Sequence, residues 1–132
     1  MKTDNARIRI ILKKQIKFVC DTEIKSLKPG NVHKYSEGHG MNLKDFLKSS
    51  LIISKCLTKN NLDLGKKILI SVNEIQNKIK KNTNLGIILM LSPIATIVQK
   101  EGVISKEELL KKIKSLIKKQ NIKNSIPIFK AI

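Results

Sequence analysis

The run Leu85-Gly86-Ile87-Ile88-Leu89-Met90-Leu91 has no polar side chain and lies within residues 82–99, which carry no charge. It is apolar on every helical face, and it is too long for an ordinary strand in a chain whose other segments have helical spacing. We therefore predict a central, buried α-helix here, bent near Pro93 because proline lacks the amide that an inner helical turn needs. Ser92 and Pro93 interrupt the run before it reaches the length of a membrane span, which favours a core helix over a membrane-crossing one.

The neighbouring segments repeat apolar residues at intervals of three and four, the spacing of amphipathic helices. Such helices are expected over about residues 4–24, 42–59, 63–81 and 105–119. Asn42, Asp63 and Ser105 are suitable N-caps, and Ser105 with Glu108 matches a capping box. In the helix over 63–81 the apolar stripe leaves Lys67 on the predicted solvent side.

The tail after Asn121 begins another helix around Pro127 and is predicted not to finish it. The expected fold is therefore all-α, a bundle of about five helices around the central apolar helix. A length of 132 residues fits a single helical domain, spanning residues 1–132.

A formal net charge of +17 suggests a polyanionic partner. Nearly all of the basic residues are lysines, however, since Arg7 and Arg9 are the only arginines, and aromatic residues make up 3% of the chain. Surfaces that bind nucleic acid specifically favour arginine and stacking aromatics, so no specific nucleic-acid partner is expected. A small lysine-rich module that binds nucleic acid nonspecifically stays as an alternative function.

The two cysteines, Cys20 and Cys56, each fall within an apolar-periodic segment and form no Cys-x-x-Cys pair. This pattern predicts two buried thiols in a reducing compartment. The N-terminus has no signal-peptide pattern, so a cytoplasmic location is expected.

The loop Lys28-Pro29-Gly30-Asn31-Val32-His33 must break the first helix, because proline fixes its own φ and glycine allows angles that other residues avoid. Lysine, asparagine and histidine supply donors around the backbone amides of Gly30 and Asn31, a composition suited to holding phosphate. A solvated turn between two helices is the simpler interpretation of the same residues. The start of the central helix, residues 82–86, is a second place suited to an anion because it presents unpaired amides and a positive dipole end.

Three segments together resemble the triphosphoribosyl-dephospho-CoA synthase family. They are residues 23–33, the helix start Asp45-Phe46-Leu47-Lys48-Ser49-Ser50, and residues 82–93, which open with Asn82-Thr83-Asn84-Leu85-Gly86. The family pattern is a glutamate, Lys-Pro-Gly-Asn/Leu-Val, a Phe-x-x-Ser helix, and an Asn-Thr-Asn/His-x-Gly turn into an apolar helix. The resemblance implies an all-helical transferase that moves the triphosphoribosyl group of ATP to the 2′-hydroxyl of dephospho-CoA, or of a related acceptor, and releases adenine.

The resemblance also implies roles for individual residues. Glu23 is the expected catalytic base or a ligand of the Mg²⁺ that is expected to accompany ATP. Asp45 is the alternative metal ligand, although its position at a helix start favours a role as a helix-cap partner. The expected substrate- and phosphate-binding residues are Lys28, Gly30, Asn31, His33, Asn82, Thr83, Asn84 and Gly86.

The family pattern continues beyond the part matched here, which corresponds to about its first half, and His39-Gly40-Met41-Asn42 lacks the carboxylate of the family's His-x-Asp-Met. We therefore expect the N-terminal half of such a domain, in a truncated or split form. Apolar surface on the central helix and on residues 126–132 would then favour self-association or a partner chain that supplies the rest. An inactive remnant of the family is the remaining alternative.

Overall fold

The computed structural model describes residues 2–132, with side chains from residue 5 onward. Its helices are α1 (Lys2–Lys25), α2 (Leu43–Leu57), α3 (Leu64–Ile79), α4 (Leu85–Glu101), α5 (Lys106–Lys118) and α6 (Ile122–Ala131). No strand occurs in the described range, and the loop between α1 and α2 contains only two isolated bridges, His33–Ser36 and Gly38–Met41. The predicted all-α fold is confirmed.

The apolar helix α4 packs against α1, α2, α3 and α5 and is therefore central in the bundle. Ile88 and Ala95 are completely buried on it. The helix predicted to be buried is buried only in part, because Met90 is 71% exposed. In the described part of the chain no single helix is long and apolar enough to cross a membrane; α4 and α5 meet the length and composition criteria only as a pair, bent by 110°.

The pair α1 and α2 combines an apolar face with a face of small polar residues. The residues buried on α1 repeat every four positions: Leu12, Ile16, Cys20 and Ile24. On α2, Ser49, Ser50 and Ser54 are completely buried, and the hydroxyls of Ser49 and Ser54 donate to the carbonyls three residues earlier at 3.0 and 2.9 Å. These bonds satisfy the hydroxyls without widening the helix, so α2 can approach its neighbours closely.

Both cysteines are free and buried, as predicted. Burial raises the pKa of the Cys20 thiol to about 12, and it also raises that of Cys56. Neither thiol is therefore ionised near neutral pH, which agrees with a packing role.

The prediction that Lys67 lies on the solvent side of α3 is wrong. Its side chain is buried, and its Nζ donates to the Leu57 carbonyl at 2.9 Å and contacts Gln99 Oε1. The last carbonyls of a helix have no partner inside it, and Lys67 supplies a donor to the end of α2.

The tail forms the helix α6, from Ile122 to Ala131, so the bundle has six helices in the described residues rather than about five. Asn121 caps α6 by accepting from the Asn124 amide at 2.9 Å. α6 packs against α3 at Gly65, where an added Cβ would lie 2.6 Å from the Asn124 carbonyl oxygen. Contact with α3 stabilises a ten-residue helix that would be marginal alone.

The helix caps confirm most of the predicted starts. Asn42 and Asp45 form a complete reciprocal capping box on α2, and Asp63 accepts from the Lys66 amide at α3. At α5 the Ser105 hydroxyl accepts from the Glu108 amide, but the Glu108 carboxylate lies 3.6 Å from the ammonium of Lys112. Only half of the capping box predicted there is present among the described hydrogen bonds.

Candidate active-site cleft

The segment Lys28-Pro29-Gly30-Asn31 forms a type II turn. The amide of its fourth residue donates to the carbonyl of its first at 3.1 Å, and Gly30 in the third position has a φ of +80°, as this turn requires. The turn therefore uses the Asn31 amide, which sequence analysis assigned to phosphate binding. Val32 is buried beside the turn and anchors it.

The start of α4 lacks a side-chain cap. Asn84 occupies the cap position in a left-handed conformation, with a φ of 62°, and its Nδ2 donates to Ser49 Oγ at 2.5 Å rather than to α4. The first amides of α4, at residues 85–87, have no acceptor within the helix. They leave the positive end of the helix dipole available to an anion.

These two features line one cleft of about 260 Å³. Glu23, Lys28 and Asn31 contribute from the end of α1 and the turn, and residues 84–87 contribute from the start of α4. Lys28 Nζ forms an ion pair with Glu23 Oε1 there, and the two side chains are 22% and 37% exposed. One cation, one carboxylate and one helix N-terminus thus surround the same space.

Two contacts fix the α3–α4 connection to α2. Lys81 Nζ lies 2.6 Å from Asp45 Oδ2, and Asn84 bonds to Ser49 as described above. The hydrogen bond from Lys81 lowers the pKa of the Asp45 carboxyl below its ordinary value. Asp45 is thereby held as a structural anion beneath the connection.

A further contact fixes α1 to α2. The Ser50 hydroxyl donates to Asp21 Oδ1 at 2.5 Å, and Lys17 pairs with the same carboxylate. Burial raises the pKa of Asp21, but the bonds from Lys17 and Ser50 outweigh burial, and the pKa is lowered overall. The α1 end, which carries Glu23, is therefore positioned by an ionised, bonded aspartate.

The remaining predicted site residues lie outside the lining of this cleft. Gly30 is on the exposed side of the turn, and the ring of His33 accepts from the Tyr35 amide at 3.2 Å. Asn82 and Thr83 line a separate cavity of about 250 Å³ near the end of α6. Thr83 is 1% exposed, and its hydroxyl has no hydrogen-bond partner.

His39, Met41 and Phe46 also line the cleft, although the sequence pattern predicts no cleft role for them. His39 has a φ of 54° in the bridged part of the loop. The loop pairing of Gly38 with Met41 turns this segment towards the cleft, and no local pattern in the sequence predicts that pairing. For Phe46, its place in the Phe-x-x-Ser segment was the available signal.

The carboxylates of the cleft fit a metal ion that enters bound to a phosphorylated ligand. Across the described residues no group of three His, Cys, Asp or Glu side chains could hold a metal ion. Glu23 is the only carboxylate in the described cleft lining. Asp45 lies outside that lining, where it accepts hydrogen bonds from the Asn42 amide and from Lys81. Mg²⁺ bound to phosphates needs only one or two protein carboxylates, so these residues fit that form of the ion.

The described residues thus form an all-helical bundle with a cleft lined by one lysine, one glutamate and the start of α4. Residues 14–132 match the CitG family model, described as ATP:dephospho-CoA triphosphoribosyl transferase, and the chain belongs to this family. At the level of the family, this is transfer of a triphosphoribosyl group from ATP to dephospho-CoA. Neither the curated proteins nor the solved structures gave a significant match.

Proposed function

We propose that this chain transfers the triphosphoribosyl group of ATP to the ribose 2′-hydroxyl of dephospho-CoA, or of a related nucleotide acceptor, in the Glu23–Lys28 cleft. The observation that carries the proposal is that the Lys28 turn, the uncapped start of α4 and the Glu23 carboxylate line one cleft. The family match independently supports the reaction class.

The triphosphate would bind between the turn and α4. Lys28 supplies a point charge, and the amides at residues 85–87 supply donors aligned with the helix dipole. The side chains of Asn31 and Asn84 also line the cleft, and they add neutral polar contacts. Without substrate, Lys28 and Glu23 neutralise each other. A triphosphate that takes over Lys28 would release the carboxylate to act as a base.

The chemistry replaces one bond at the anomeric carbon with another. The bond between adenine N9 and C1′ breaks, and adenine leaves with the electron pair and takes up a proton. The acceptor 2′-oxygen forms the new bond to C1′, which carries positive charge in the transition state. Glu23 accepts the proton of that hydroxyl, and the triphosphate stays on the transferred ribose throughout. Mg²⁺, when bound to the phosphates, would supply charge neutralisation.

The experiment is calorimetric titration of the protein with ATP and Mg²⁺, paired with an assay of adenine release when acceptor is added. Lys28→Ala should weaken ATP binding at least tenfold, and Lys114→Ala is the charge-matched control on the exposed face of α5. Glu23→Gln should retain ATP binding and reduce adenine release by about 100-fold or more, the range of a lost general base. ATP binding that is equal in Lys28→Ala and the wild type would reject the proposed site.

A further inference from the structure

Another cavity in the described residues is larger than the cleft. It has a volume of about 420 Å³ and lies between the α2–α3 turn, with Lys59, Asn60 and Asn61, and the last part of α4, with Thr96 and Lys100. That volume falls within the range of small-molecule sites, roughly 300–1,000 Å³. Residue 96 is about 15 Å along α4 from residue 86, at 1.5 Å of rise per residue, so this cavity is a site separate from the cleft.

The buried Lys67 forms part of the cavity wall. Its Nζ uses two of its three donors on the Leu57 carbonyl and Gln99 Oε1. Gln99 is itself fixed because its Nε2 donates to the Thr58 carbonyl at 3.0 Å. These contacts cap the end of α2. They stabilise the Lys67 ammonium with the dipoles of a backbone carbonyl and a side-chain amide rather than with an anion. Burial accordingly lowers the pKa of Lys67 to about 8.

The cavity has three lysines in its lining, Lys59, Lys67 and Lys100, and no carboxylate. The acidic residues adjacent in sequence pair mainly with lysines outside the cavity, although Glu101 Oε1 also lies 4.0 Å from the Lys100 ammonium. Asp63 caps α3 and lies 3.1 Å from the ammonium of Lys66, and Glu101 lies 3.2 Å from that of Lys112. A buried ammonium is costly unless it is paired, and here the protein supplies no carboxylate to pair it.

We propose that the Lys67 cavity binds a phosphate-bearing anion at a site separate from the Glu23–Lys28 cleft. The anion would pair with Lys59, Lys67 and Lys100, and the Thr96 hydroxyl and the Asn60 and Asn61 amides would complete its hydrogen bonds. The lining contains no aromatic side chain on which a base could stack, so recognition is of the phosphate group itself.

The test uses inorganic pyrophosphate as the probe, titrated by calorimetry at constant ionic strength in a Lys28→Ala background. That background weakens binding at the cleft, and Lys59 and Lys100 lie outside the cleft lining, so the effect of their substitution does not depend on the proposed transferase activity. The test variant is the double substitution Lys59→Ala/Lys100→Ala. The control is the double substitution Lys111→Ala/Lys114→Ala, which removes the same charge from the exposed face of α5. Lys67→Met is measured beside them. If it fails to fold, the two double variants still decide the question.

We expect pyrophosphate affinity to fall at least tenfold in the Lys59/Lys100 variant, to be lost in Lys67→Met, and to stay within twofold in the control. ADP at equal or higher affinity than pyrophosphate would support a nucleotide diphosphate as the source of the anion. Pyrophosphate alone would support a free phosphate anion. Equal losses in both double variants would mean diffuse attraction to a basic surface and would overturn the proposal, as would unchanged binding by Lys67→Met.

Discussion

Asn84 shows how one residue determines the geometry of the cleft. Its left-handed backbone begins α4, and its amide side chain bonds to Ser49 of α2, so the helix start stays uncapped. Two of the three segments that carry the family resemblance, residues 45–50 and residues 82–93, therefore contact each other directly. The resemblance predicted both segments, but their contact depends on a side chain that turns away from its own helix.

The two roles of Asn84 can be separated by substitution. Asn84→Gly keeps the left-handed conformation and loses the bond to Ser49, which should cost about 1 kcal/mol of unfolding free energy. Asn84→Ala also loses the bond to Ser49, and its Cβ is strained at positive φ, so this variant should lose about 1 kcal/mol more of unfolding free energy than Asn84→Gly. Urea unfolding of the two variants measures the difference. Equal stabilities would show that the backbone conformation carries no cost.

Lys67 is the residue that sequence analysis placed wrongly. A lysine within an amphipathic pattern is assigned to solvent, and its partners, the Leu57 carbonyl and Gln99, lie ten and 32 residues away in the chain. Unpaired carbonyls at the end of α2 could be predicted, but not the residue that satisfies them. The turn at Lys28-Pro29-Gly30 was predictable because proline and glycine act locally.

The burial of Lys67 predicts a dependence of stability on pH. Its folded pKa is about 8, below the ordinary 10.5, so between these values the unfolded chain binds a proton that the folded chain does not. The free energy of unfolding from this group therefore rises with pH from about 8 to 10.5, and falls as pH decreases through 8. Denaturant unfolding of wild type and Lys67→Met across that interval should show a rise that is smaller in the variant. Parallel curves would contradict the assignment.

At the scale of elements, helix positions were predictable from apolar spacing and caps, and most boundaries agree within a few residues. The exception is α6, a short helix with Pro127 inside it. Its local pattern is weak, and its stability comes from packing against α3, which sequence spacing does not reveal.

Gly65 allows α3 and α6 to approach. An added Cβ would meet the Asn124 carbonyl oxygen at 2.6 Å and Pro127 Cβ at 3.3 Å, and a backbone atom cannot yield as a flexible side chain can. Gly65→Ala should therefore destabilise the fold by about 1–3 kcal/mol, the usual range for overpacking. Thermal unfolding followed by circular dichroism measures this. Stability equal to wild type would show that α6 is not closely packed there.

At the scale of the whole molecule, α5 and α6 expose large apolar side chains. Leu110 and Ile117, seven residues apart on α5, are 50% and 55% exposed, and Phe129 on α6 is 76% exposed. Such faces favour association, and we expect self-association through them. Sedimentation analysis of the wild type should show a mass that rises with protein concentration. The double variant Leu110→Glu/Phe129→Glu should show a lower mass, and the loop control Leu27→Glu should behave as the wild type does. A single monomeric mass at all concentrations would contradict this expectation.

The cleft itself combines segments about 50 residues apart, and apolar spacing alone does not place them together. The resemblance predicted the Lys28 turn and the start of α4 as parts of one site, and the fold brings them to one cleft because α2 binds both of its neighbours, through Asp21–Ser50 and Asn84–Ser49. The resemblance did not predict that Asn82 and Thr83 line another cavity. Adjacent residues of a tight connection point in different directions, so they can line different cavities.

Titration of Gly86→Ala with ATP and Mg²⁺ tests the central claim most directly, because Gly86 lines the cleft that the triphosphate would occupy and an added Cβ there meets no protein atom within 4 Å. Alanine should leave the folded state at least as stable as wild type, since it favours helix over glycine. We predict retained stability with ATP affinity reduced at least tenfold. Retained stability with unchanged ATP affinity would contradict a triphosphate bound at the start of α4.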